Sequence, residues 1–214
     1  MIRKLKLRNL VYQILEPIGD WQQAIRLARF YTSWRTRGLP IPAPHPVKRA
    51  LLLREALRIK AEIFVETGTF TGDTVWFMRD RFQKVYSIEV QPQLAEIAIS
   101  LFRNNPRVEI VKGDSASALA DLVKRIEGAT LFWLDGHYSA GVTGRGTKDC
   151  PIFEELQAIA NHPPACFSIV IDDRRCFGTD PAYPLYSDLV SQIAMLFPQL
   201  NVTEELDMIW CRER

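Results

Sequence analysis

The sequence predicts an α/β protein built on a doubly wound, mostly parallel sheet, and three observations carry the prediction. Short apolar, β-prone runs alternate along the chain with segments of helical spacing, as strands and crossover helices do. The first run, Ile63-Phe64-Val65-Glu66-Thr67, ends at an acid and leads into Gly68 and Gly72, after which Thr74 opens an amphipathic stretch. Strand, tight turn, helix is the reading: glycine lets the backbone turn sharply and approach a ligand, and the helix aims its free N–H groups at that ligand. A second run, Val85-Tyr86-Ser87-Ile88-Glu89, again ends in an acid. In a doubly wound sheet that end lies beside the first turn, where a carboxylate accepts both hydroxyls of a ribose; a solvated strand-end acid is the alternative.

Dinucleotide readers carry G-x-G-x-x-G after the first strand. Here the frame is E-x-G-x-x-x-G, which disfavours nicotinamide and flavin cofactors. The segments E-T-G-T-F-T-G-D-T (66–74), S-I-E-V (87–90) and V-K-G-D-S (111–115) together resemble the class I S-adenosylmethionine-dependent methyltransferases. Within them the chain is most similar to the metal-dependent catechol and caffeoyl-CoA O-methyltransferases, over roughly residues 60 to 175, about half its length. The resemblance implies a seven-stranded Rossmann-like sheet with a C-terminal antiparallel hairpin, and S-adenosylmethionine as cofactor. It draws the cofactor site from Glu66, Thr67, Gly68, Phe70, Gly72, Thr74, Glu89, Asp114, Ser115 and Asp135. Asp114 and Ser115 fall on the adenine edge in that scheme, although capping of the next helix explains the same residue types.

Composition sets the outer bounds. The 214 residues, 47% hydrophobic and 24% charged, suffice for one sizeable core rather than two full domains. A net charge of +2 demands no polyanionic partner. Cys150, Cys166, Cys176 and Cys211 show neither C-x-x-C nor zinc spacing and form no secreted framework, so a reducing, cytoplasmic setting is expected. No apolar run approaches the roughly 20 residues of a spanning helix. The charged N-terminus is followed by neither the apolar core nor the cleavage site of a signal peptide.

Charge is uneven. Residues 1–50 hold ten Lys/Arg against Glu16 and Asp20, a surplus of +8, so the remainder carries −6. Basic residues there alternate with Ile2, Leu5, Leu7, Leu10, Val11, Ile14 and Leu15, then with Trp21, Ile25, Leu27, Phe30, Tyr31 and Trp34, which suits two amphipathic helices. Three roles fit: a helical extension with a solvated basic face, a lid over the acceptor pocket as in the catechol-type enzymes, or weak contact with a membrane surface or acidic partner. Four prolines between Gly38 and Pro46 predict an extended connector, with His45 as an exposed loop residue. The domain division expected is a helical extension and linker over 1–45 and an α/β domain over 46–214.

The remaining elements follow in order. Val47 to Lys60 reads as the helix before the first strand and Gln93 to Phe102 as a helix. Val108 to Val111 reads as the third strand, then Ala116 to Ile126 as a helix. Thr130 to Leu134 is the fourth strand, ending at Asp135-Gly136-His137-Tyr138; Phe167 to Ile171 is the fifth, ending at Asp172-Asp173. Helices are expected over Pro151 to Ala160 and Ser187 to Phe197. Asn201 to Leu206 and Met208 to Arg212 read as the terminal hairpin.

Ligands collect at the carboxyl ends of strands in an open parallel sheet, so Asp135, Asp172 and Asp173 fall on one rim. Three hard oxygen donors suit Mg²⁺ or a similar divalent cation, which lowers the pKa of an acceptor hydroxyl; capping of the following helices is the alternative. The catechol-type pattern has an acid after strand four and Asp-Asn after strand five, so Asp173 stands where Asn is usual. That pattern also has a lysine base three residues beyond the strand-four acid. Tyr138 occupies the position here, with His137 beside it as the residue able to take a proton near neutral pH. Asp135, His137 and Tyr138 are therefore the catalytic candidates.

The glycine-rich stretch from Ser139 to Asp149 reads as a mobile substrate loop in which Arg145 and Lys148 suit an anionic acceptor; a solvated surface loop is the alternative. The reading expected is metal-assisted O-methylation of a small molecule, anionic or sugar-like. The alternatives are metal-independent methylation on the same fold and a non-catalytic binding module of that fold. A second copy of the chain is a further candidate partner. Nucleic acid is not expected, because the core is acidic and no N/D-P-P-Y/F motif occurs.

Overall fold

The computed structural model of the chain describes residues 21–136 and 150–213. Two compact units divide it, Met1–Lys60 and Ala61–Arg214. In the first unit α1 (Trp21–Thr36) and α2 (His45–Ile59) are helical. The first of the two basic helices expected, over residues 2–15, lies outside the described residues, as do the side chains of 21–27. Trp34 is buried, meets Tyr31 edge-on at 6.0 Å and donates its indole N–H to the Pro40 carbonyl (2.6 Å). The proline-rich connector is shorter than expected, because His45 and Pro46 belong to the first turn of α2. That turn leaves its N–H groups unpaired in any case, so proline is tolerated there.

The second unit runs β1 (Ile63–Thr67), α3 (Asp73–Met78), β2 (Lys84–Glu89), α4 (Pro92–Phe102), β3 (Val108–Lys112), α5 (Ser115–Leu122), β4 (Thr130–Leu134), α6 (Ile152–Asn161), β5 (Phe167–Ile171), α7 (Tyr186–Leu196), β6 (Leu200–Glu205) and β7 (Met208–Glu213). Seven strands form one sheet in the order β3-β2-β1-β4-β5-β7-β6. All neighbours are parallel except β7, which is antiparallel to both β5 and β6. The α/β sheet with a terminal antiparallel hairpin is the architecture the sequence predicts.

β1, β4 and β5 are buried at every position, which is why they read as continuous apolar runs rather than alternating ones. In register, Tyr86, Val65, Phe132, Ile169 and Cys211 form one row across five strands. They share one core with Leu119 and Leu122 of α5, Leu156 and Ile159 of α6, and Leu189 and Ile193 of α7. The chain builds outward from β1 through β2 to β3, then returns to place β4 on the other side of β1. This reversal opens a crevice at the carboxyl ends of β1 and β4, where ligands bind in open α/β sheets. Among the described residues no helix is long and apolar enough to cross a membrane.

Candidate functional site

The register of the sheet sets the site. Thr67 pairs with Ile88 and with Leu134, and Leu134 pairs with Ile171, so the next residue on each strand forms a rim row: Glu89, Gly68, Asp135, Asp172. Backbone bonds continue into that row, from Gly68 N to Ile88 O (2.9 Å), Asp135 N to Thr67 O (3.3 Å) and Asp172 N to Leu134 O (3.1 Å). Neighbouring strands lie about 4.8 Å apart, which separates the strands of Glu89 and Asp135 by about 10 Å with Gly68 between them.

Gly68 has φ +87°, and a Cβ on it would lie 2.6 Å from the Asp135 carbonyl oxygen. The turn needs glycine there on both counts. Gly136 lacks room of another kind, since a Cβ would meet the Thr67 side chain at 2.9 Å and Glu155 Oε1 at 3.1 Å. Gly72, at φ +77°, is the N-cap of α3.

Glu89 is buried and holds the turn in place. Its Oε2 accepts from the Phe70 N–H and its Oε1 from the Gln91 N–H, both at 2.8 Å. Phe70 adopts φ +48° with its ring 45% exposed, so the carboxylate pins a left-handed residue at the tip of the turn. Each carboxylate oxygen has a second lone pair for a ligand.

Glu66 is 2% exposed and accepts from Ser87 Oγ (2.6 Å), which is joined in turn to Thr69 Oγ1 (2.6 Å). This buried chain ties β1 to β2 beneath the turn. Thr67 uses its hydroxyl to accept from the Asp135 N–H (3.1 Å), Thr74 is buried in α3, and Asp114 caps α5 by accepting from the Ala116 N–H (3.1 Å), with Ser115 buried behind it. Capping, one of two readings held for Asp114, is therefore the contact present. Thr69 and Ser87 were not singled out in the sequence; the serine inside the S-I-E-V segment was the available signal.

Beyond β5 the arrangement departs from the metal set expected. Among the described residues no group of three His, Cys, Asp or Glu side chains is placed to hold a metal ion, Asp135, Asp172 and Asp173 included. Asp172 is 1% exposed and its Oδ1 accepts from the Asp173 N–H (2.8 Å). Asp173 Oδ1 accepts from Arg175 Nη1 (2.6 Å), and the same nitrogen donates to Asp207 Oδ2. Asp207 Oδ1 also accepts from the Arg175 N–H (2.8 Å). Arg175 and Asp207 are the residues that sequence reasoning missed.

Burial works against the Arg175 charge, yet the hydrogen bonds to Asp207 and Asp173 raise its pKa further, so it is a permanent cation. Burial, reinforced by the Asp173 charge, pushes the Tyr183 phenol far up, which leaves Tyr183 a proton donor rather than a base. Burial likewise pushes the Cys150 thiol up to about 12, so no thiolate nucleophile forms there. The catalytic candidates His137 and Tyr138, and the loop residues Arg145 and Lys148, lie outside the described residues.

With this geometry in place, solved structures supply the comparison. A SAH-bound methyltransferase from Podospora anserina is similar over 88% of this chain and 87% of its own, at 15% identity and a TM-score of 0.56. The chain has the class I methyltransferase fold. An O-methyltransferase from Bacillus cereus in complex with SAH matches over 88% of this chain and 90% of its own, at 15% identity and a TM-score of 0.54. The N-methyltransferase NodS from Bradyrhizobium japonicum WM9 matches over 78% and 93%, at 13% identity and a TM-score of 0.50. The methyltransferase fold thus accommodates both oxygen and nitrogen acceptors, and likeness at this level speaks for architecture alone. Among models of known protein families and among curated proteins the sequence has no match.

Proposed function

We propose that this chain binds S-adenosylmethionine and transfers its methyl group to an oxygen of a small-molecule acceptor. The observation that carries the reading is the rim row of Glu89, Gly68 and Asp135, in which two acids flank a glycine turn that, at φ +87° and with no Cβ, packs directly against the Asp135 backbone. Glu89, held by Phe70 and Gln91, accepts the ribose hydroxyls. The Glu66–Ser87–Thr69 chain fixes the turn that wraps the amino-acid end. Bound there, the cofactor supplies the electrophilic methyl, and the chain supplies orientation and excludes water.

Oxygen rather than nitrogen is supported by the resemblance of roughly residues 60 to 175 to the catechol and caffeoyl-CoA O-methyltransferases. The acceptor's proton is assigned to His137, two residues past Asp135, since imidazole with a free pKa of about 6.5 suits that task near neutral pH. Among the described residues, Asp135, Asp172, Asp173 and Asp207 accompany the Arg175 guanidinium on this rim, a balance that suits a neutral, sugar-like acceptor; Arg145 and Lys148, which suit an anionic one, lie outside those residues. Divalent-metal assistance is not part of the proposal, because two of its three expected ligands are engaged with protein donors.

Isothermal titration with SAH tests the cofactor half: one site per chain is expected, with a matching rise in unfolding temperature. Absence of both up to about 1 mM SAH would falsify the reading. Labelled methyl transfer to a library of hydroxyl and amine acceptors tests the rest, and turnover confined to amines would remove the oxygen assignment.

A further inference from the structure

We propose that Arg175 holds the place that a divalent cation would take on this rim, so that the site works with a built-in guanidinium and binds no metal ion. The inference rests on the methyltransferase reading only for what the rim is used for. Its physical content is an ion cluster, and that stands or falls separately.

The cluster is assembled from three parts of the second unit. Asp173 lies two residues past the end of β5 as the N-cap of the short 3-10 turn Arg174–Cys176, Arg175 is the middle residue of that turn, and Asp207 sits in the two-residue turn between β6 and β7. Because β7 runs antiparallel to β5 with Ile171 opposite Ile209, the register two residues further on brings Asp207 opposite Asp173. Two carboxylate oxygens, Asp173 Oδ1 and Asp207 Oδ2, therefore converge on a single point, and Arg175 Nη1 occupies it. Two oxygens converging on one centre with room for water is how a hard divalent ion is gripped.

The guanidinium is difficult to displace. The Asp207 side chain is 1% exposed and takes both the backbone N–H and the Nη1 of Arg175, and the Arg174 N–H bonds to the Asp207 carbonyl (2.9 Å). An entering cation would have to pull Arg175 from a buried carboxylate while losing most of its own hydration, against a fixed positive charge. Asp172 does not complete a third ligand: among the described residues no group of three His, Cys, Asp or Glu side chains is placed to hold an ion, and its Oδ1 accepts from the Asp173 N–H. Asp173 itself has φ 55° and ψ 44°, a left-handed conformation that Asn and Asp tolerate best. Its backbone conformation and its bond to Arg175 thus both suit an aspartate here without an ion.

Removing the guanidinium should uncover the latent site, and that is the test. Mn²⁺ is titrated into the full chain and the free ion followed by electron paramagnetic resonance, with and without SAH. Wild type is expected to leave the free-ion signal undiminished. Arg175→Ala is expected to bind one Mn²⁺ per chain at least tenfold more tightly than wild type, and Asp173→Asn placed on top of it to remove that site. Arg175→Gln, which keeps more of the side chain, serves if the alanine variant lacks a cooperative thermal transition. One Mn²⁺ bound per wild-type chain and lost in Asp173→Asn overturns the proposal, as does a folded Arg175→Ala or Arg175→Gln that gains no Mn²⁺. Should neither neutral variant fold, the wild-type titration alone decides. A wild type that binds neither SAH nor Mn²⁺ removes the methyltransferase reading and leaves this inference intact, whereas binding of both does the reverse.

Discussion

Gly68→Ala is the substitution whose consequences the structure fixes most tightly. Two costs arise from independent causes. Alanine at φ +87° sits in the left-handed region, at roughly 1–2 kcal/mol. Its Cβ would also lie 2.6 Å from the Asp135 carbonyl oxygen, and that neighbour is backbone in a hydrogen-bonded rim, so relief requires β1 and β4 to part; overpacking of this kind costs about 1–3 kcal/mol. The sum is about 2–5 kcal/mol. For a domain of this size 1 kcal/mol corresponds to about 2–4 °C in Tm, so a loss of about 3 kcal/mol lowers Tm by about 6–12 °C. The displaced backbone is also the floor between Glu89 and Asp135, so SAH affinity falls by at least about tenfold. Circular dichroism melts and SAH titration on purified wild type and variant measure both effects. A variant with wild-type Tm and wild-type SAH affinity refutes the argument that the missing side chain at position 68 makes the site.

Two further predictions complete those above. Glu89→Gln removes the anionic acceptor while keeping its shape, and SAH affinity is expected to fall about tenfold to a hundredfold, as measured by titration calorimetry, because hydrogen bonds to charged groups contribute roughly 1.5–3 kcal/mol. Stability is expected to decline in alkali: burial raises the Cys150 and Cys211 thiols from 9.0 to about 12, so above pH 9 the unfolded chain sheds protons that the folded one keeps, and unfolding free energies from urea melts should be level below pH 9 and drop from there towards pH 12.

The strands and helices were legible because their signals are local. Acids closing two apolar runs, glycines at 68 and 72, and helical spacing from Thr74 mark the crossover within a dozen residues, and the observed strands and helices keep within a residue or two of the reading apart from the end of α5. Helix α5 stops at Leu122 and tightens into a 3-10 turn to Arg125 instead of running to Ile126. The rim was legible only as a set of residue types. Ser87 bonds to Glu66 across 21 residues, and Arg175 to Asp207 across 32, through pairings of strands that no short window of sequence contains.

Asp173 shows how far that limitation reaches. Its sequence context, an acid beside Asp172 at the end of a parallel strand, invites a metal ligand, and the resembled enzymes carry Asn at the same place. Both residue types share the property the backbone asks for here, tolerance of φ 55°. Asn would satisfy the backbone and stay neutral. Asp adds a charge next to Asp172 and Asp207, and such a cluster persists only with a cation among the three. The chain supplies it two residues later, as Arg175, and the antiparallel pairing of β7 with β5 brings Asp207 to complete the grip. The departure from Asn and the presence of Arg175 are therefore one feature: the extra carboxylate and its counter-charge stand or fall together.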